Sequence, residues 1–203
     1  MNHFKTLSQY VLALLLAAGP LQALAHSSTD GGRFLAGLVH PVEGADHLLA
    51  MVAVGIVSSL MGRRHIFLVP ASFVAMMVFG AFAGFLQWSF PGADLWIALS
   101  VLGLGICITI LAKRVPCVLI YMAVALFGMS HGYAHGLGMP NSASPAFYSF
   151  GFITTTSLLH LFGVGIGELC IRQDVLTRWL RMGGGAMSLA GVWYTLQAIL
   201  DMF

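Results

Sequence analysis

The chain has 203 residues, of which 59% are apolar and only 8% charged, with 24 glycines. A soluble domain keeps about a quarter of its residues charged, so this composition excludes an ordinary soluble fold and indicates an integral membrane protein. The net charge of +2 comes from basic residues scattered in twos, which offers nucleic acid no basic cluster to bind.

The first element in chain order is a targeting segment. Lys5, the apolar run "YVLALLLAAG" and a small-residue "ALA" ending at Ala25 together describe a cleavable signal peptide over residues 1–25. The mature chain then starts at His26 and runs over 26–203 as one transmembrane domain. Five uncharged stretches follow at 66–93, 95–112, 115–130, 146–167 and 182–200, preceded by a sixth at 48–62. Only helices or closed barrels cross ~30 Å of hydrocarbon, and a helix needs about 20 residues to do so. Two stretches are short for that. The run 48–62 has 15 residues, and both it and 115–130 reach span length only if Asp46 and His47, or His131 and His135, lie inside the helix. The expected fold is all-α: a polytopic membrane helix bundle of six transmembrane helices after the signal peptide.

Basic loop residues set the orientation. With the mature N-terminus outside, Arg63, Arg64, Lys113, Arg114, Arg172, Arg178 and Arg181 all fall on the cytoplasmic side, and the outer loops "QWSFPGAD" and "GLGMPNSASP" hold no Lys or Arg. The expected location is the bacterial inner membrane, multi-pass, with both mature termini periplasmic and the bilayer as a constant partner.

This topology gathers the ligand-type side chains. "HPVEGADHLLAMVAVG" places His40, Glu43, Asp46 and His47 at the outer entrance of the first span, and "SHGYAHG" places His131 and His135 at the outer end of the fourth. His131 and His135 are four residues apart and share a helical face, as do Glu43 and His47 if the first helix begins near Val42. His160 lies about halfway down the fifth span. His65, beside Arg63 and Arg64, reads as an interfacial packing residue. Ionisable groups within spans are costly and mark ion or substrate pathways. Gly128, Gly132 and Gly136, Gly80 with Gly84, and Gly163 with Gly167 form small-xxx-small stripes that let helices approach closely. Imidazole and carboxylate suit Ni(II), Co(II), Zn(II) or Cu(II). Cys107, Cys117 and Cys170 lie toward the inner side and form no CxxC pair. The methionines near the histidines, Met51, Met129 and Met139, read as packing more than as ligands.

The segments "HPVEGADHLLAMVAVG", "SHGYAHGLGMP" and "TTSLLHLFGVGIG" resemble the signature segments of the HupE/UreJ family of nickel or cobalt permeases, which are hydrogenase and urease accessory membrane proteins. The resemblance covers the mature chain from His26 through the last span. It implies secondary, non-ATP uptake of Ni(II) or Co(II), with His40, Asp46 and His47 matching the first motif and His131 and His135 the second. His26, Glu43 and His160 complete the candidate metal set. Family members often carry a glutamate where this chain has Gly138. No Walker A pattern occurs, no prosthetic group is expected, and the chain is read as a carrier and not an enzyme. A homo-oligomer and a cytoplasmic metallochaperone are compatible partners. The alternatives are a membrane-embedded zinc-dependent hydrolase, for which the pattern HExxH is absent, and bis-histidine haem ligation.

Overall fold

The computed structural model describes residues 30–138 and 145–203. The expected signal peptide, its cleavage site, His26 and Met139 lie outside the described residues. Among those described, the chain is all-helical: α1 (Asp30–Glu43), α2 (Ala45–Met61), α3 (Leu68–Phe85), α4 (Ala93–Ile110), a 3₁₀ turn (Ala112–Arg114), α5 (Cys117–Leu137), α6 (Pro145–Ile171) and α7 (Asp174–Leu200).

Among the described residues, four helices are long and apolar enough to cross a membrane: α3, α4, α5 and residues 146–171 of α6; α1 and α2 add a fifth if they count as one broken span. The coarse expectation of a helical multi-pass bundle stands, and the count of six does not follow from length and composition. α7 has 27 residues, but Thr177, Arg178, Arg181, three successive glycines and Gln197 dilute its apolar character.

The fold divides into two compact units. In the smaller unit, α1 lies against the first turns of α6. Gly37 faces the Tyr148 carbonyl, Gly151 faces the Phe34 carbonyl, and Thr155 Oγ1 donates to the Leu38 carbonyl at 2.7 Å.

In the larger unit, α2 is the core. Every residue from Val54 to Leu60 is buried, and Ala50, Met51, Val54 and Val57 are wholly inaccessible. A helix apolar on all sides is stable only where other helices surround it, and here the neighbours include α3, α4, α5 and α7. The glycine stripes make the tightest of these contacts. Gly128, Gly132 and Gly136 of α5 lie against the carbonyls of Phe73, Met77 and Ala81, and Gly80 and Gly84 of α3 face those of Met129 and Tyr133. Gly55 and Gly163 pair α2 with α6 in the same way. Outward-facing residues such as Phe79, Phe82, Leu158, Phe162, Leu189 and Trp193 form the apolar surface a bilayer requires.

Candidate metal centre

The site begins at Gly44, where the helix breaks: φ −95° and ψ 121° place it in extended conformation ahead of α2. The expected start near Val42 is therefore corrected. Pro41 and Glu43 belong to α1 and His47 to the first turn of α2, so no continuous helix puts Glu43 and His47 on one face. The break has a local use. A Cβ at residue 44 would meet Asp46 Oδ1 at 2.8 Å and His47 Nδ1 at 3.0 Å, so glycine leaves room for carboxylate and imidazole to lie together.

Asp46 Oδ1 accepts from the His47 backbone N–H at 2.9 Å and from His47 Nδ1 at 2.9 Å. A carboxylate accepts, so Nδ1 carries the ring proton and Nε2 keeps its lone pair. This is the orienting arrangement that metal-binding histidines commonly use.

α5 supplies the facing pair. As its length requires, the helix runs through both histidines to Leu137 and gains a full 21 residues. His47 stands 4.9 Å from His131 and 4.9 Å from His135, ring centre to ring centre, with interplanar angles of 74° and 67°. His131 is fully buried, and its Nδ1 donates to the Phe127 carbonyl at 2.7 Å. Its Nε2 lone pair is therefore enclosed and has no hydrogen-bond partner in the protein. Such a group costs ~1–3 kcal/mol when left unsatisfied, a cost that contact with a cation removes.

Three imidazoles thus meet, but edge to face. Among the described residues no three His, Cys, Asp or Glu side chains are already arranged to hold one ion. Side-chain rotation is needed before His47, His131 and His135 hold one ion together.

Tyr133, between the two histidines of α5, ties down the outer loop. Its hydroxyl donates to the Trp88 carbonyl at 2.7 Å and accepts from the Phe90 N–H at 3.3 Å. Beside it a cavity of about 620 Å³ is lined by Tyr133, Tyr194 and three carboxylates, Asp46, Asp94 and Asp201, with no Lys or Arg among its lining residues. Asp94 and Asp201 were not among the sequence candidates. Their signal was available, since both sit where an apolar stretch meets the expected outer surface.

The other candidates are placed as follows. His40 Nδ1 and Glu43 Oε2 pair with each other at 3.0 Å, both well exposed, and the His40 ring lies 6.0 Å from Tyr148 within the smaller unit. His160 is buried on α6, and neither ring nitrogen has a hydrogen-bond partner. His65 hydrogen-bonds the Tyr121 hydroxyl at 2.9 Å, in keeping with a packing role. The three cysteines are unpaired.

Residues 12–194 match the family described as HupE / UreJ protein. Protein HupE of Rhizobium leguminosarum bv. viciae is 34% identical over 186 residues, which is 91% of this chain and 95% of that protein. No solved structure matches. With a family match over most of its length and a relative of this identity and coverage, the chain belongs to the HupE/UreJ family, membrane proteins associated with nickel or cobalt uptake.

Proposed function

We propose that the chain is a secondary permease that carries Ni(II) or Co(II) from the periplasm to the cytoplasm, supplying hydrogenase- or urease-type metalloenzymes. The observation that carries this reading is the meeting of half-buried His47 with buried His131 and His135 beside a carboxylate-lined cavity. Carboxylates raise the local concentration of cations in such a cavity. The ion is then captured by His47, His131 and His135. Asp46 orients His47 and offsets the positive charge. The ion moves inward past His160 towards Glu168, near the inner end of α6. Successive weak sites permit both loading and release. Energy comes from the membrane potential or from trapping by cytoplasmic metallochaperones. The family does not favour the zinc-hydrolase alternative.

The test is uptake of radioactive nickel and cobalt into liposomes holding the purified chain alone. Saturable uptake above that of empty liposomes, abolished in a His131→Ala, His135→Ala double variant, is expected. Uptake equal to that of empty liposomes removes the permease reading.

A further inference from the structure

Beneath the imidazole cluster, two enclosed residues carry no role so far. Met51 follows His47 by one turn on α2, and Thr156 precedes His160 by one turn on α6. Both are wholly inaccessible, and Thr156 Oγ1 donates to Met51 Sδ at 3.5 Å. The helical spacing puts Thr156 and His160 on one face of α6, and His47 and Met51 on one face of α2. The two helices are held close below this level, where a Cβ on Gly55 would meet Val164 N at 2.8 Å.

His160 is 1% exposed, and both of its ring nitrogens are without a hydrogen-bond partner. A neutral imidazole has one donor and one acceptor, and burying both unmet is rare in native proteins. Phe73, also fully buried, stands between the two histidine levels. Its ring centre is 5.4 Å from that of His131 and 5.1 Å from that of His160, at an interplanar angle of 88° to the latter.

We propose that the Met51 thioether, the Thr156 hydroxyl and the His160 imidazole form a second, inner metal station, set apart from His47, His131 and His135 by the Phe73 ring. The inference rests on the permease reading and gives that path its discriminating step. Imidazole suits nickel, zinc and copper and the thioether is a soft donor, whereas Mg(II), Ca(II) and Mn(II) prefer carboxylate, carbonyl and water. An arriving ion displaces only one weak O–H···S contact. The three donors are neutral, so they hold a divalent ion less firmly than a carboxylate set does, and onward release stays open.

The experiment is nickel K-edge X-ray absorption on the purified full chain loaded with two equivalents of Ni(II), alongside calorimetric titration. A sulphur shell at nickel is expected. Met51→Leu conserves volume and removes the sulphur; it should abolish the shell and weaken the second equivalent at least tenfold, leaving the first within twofold. His160→Gln should remove the second equivalent. Nitrogen and oxygen neighbours alone in the unaltered chain, or a sulphur shell that survives Met51→Leu, overturns the station. Liposome uptake by the unaltered chain with no sulphur shell overturns the station and spares the permease reading. A Met51-dependent shell without uptake overturns transport and supports the two stations as binding sites.

Discussion

Gly132→Ala is the most direct probe of how the helix packing sets the imidazole geometry. A Cβ at residue 132 would lie 2.8 Å from Met77 Cα and closer still to the Met77 carbonyl, whereas ordinary contact begins near 3.4 Å. The obstacle is backbone, which cannot rotate away, so α3 and α5 must part by more than half an ångström along the turn that also carries His131. Overpacking of this kind costs about 1–3 kcal/mol. If the displacement reaches the 4.9 Å spacing between His47 and His131, a loss of about 1.4 kcal/mol in ion binding is a tenfold loss of affinity. The assay is nickel affinity and melting temperature of the purified protein, with Gly165→Ala as comparison. Residue 165 is exposed on α6 with nothing within 4 Å of an added Cβ, so its variant should stay within about 0.5 kcal/mol of the parent. Gly132→Ala should melt several degrees lower and bind nickel about tenfold more weakly. Equal behaviour of the two variants would refute the claim that the α3–α5 approach sets the site.

Asp46→Asn retains shape and an acceptor for His47 but removes the negative charge; loss of such an orienting group typically costs 10–100-fold in metal affinity, and parental nickel affinity in this variant would reduce Asp46 to a helix-end residue. Tyr133→Phe deletes the bonds to Trp88 and Phe90; at about 0.5–1.5 kcal/mol per bond, amide exchange at Phe90 should accelerate several-fold, and unchanged exchange would show the loop is held elsewhere. For orientation, alkaline phosphatase fused after Phe203 should be active and fused after Arg114 inactive, and the opposite pattern would put the carboxylate-lined cavity on the cytoplasmic side.

What the sequence discloses depends on the range of the interaction. Apolar runs and glycine repeats act along one helix, so the helices at 66–93, 95–112, 115–130 and 146–167 and the glycine stripes of α3 and α5 are visible without a structure, whereas the packing of those two stripes on each other is not. The extension of α5 through His135 is equally legible, because a 16-residue run is too short for the bilayer on its own. The break at Gly44 is not. Glycine is tolerated within helices, and the crowding of Asp46 and His47 that requires glycine at residue 44 exists only once the chain has turned extended there. The cavity is hidden for a different reason: Asp46, Asp94 and Asp201 are brought together by three helices far apart in sequence. Nor does a string of ligand-type residues reveal that Asp46 is engaged with His47, because that is a matter of side-chain direction.

The enclosure of α2 has a consequence for how the protein is made. α2 leaves the ribosome before every helix of the larger unit that surrounds it. Until those partners arrive it lacks its shell, with Asp46 and His47 at one end and Ser58 and Ser59 near the other. The serines satisfy themselves locally, through bonds to the Gly55 and Ile56 carbonyls. Asp46 and His47 likewise have each other. The segment therefore carries its own polar pairing through insertion. Its shell then closes late in synthesis, when α6 brings Gly163 onto the Val52 carbonyl and His160 onto Gly55.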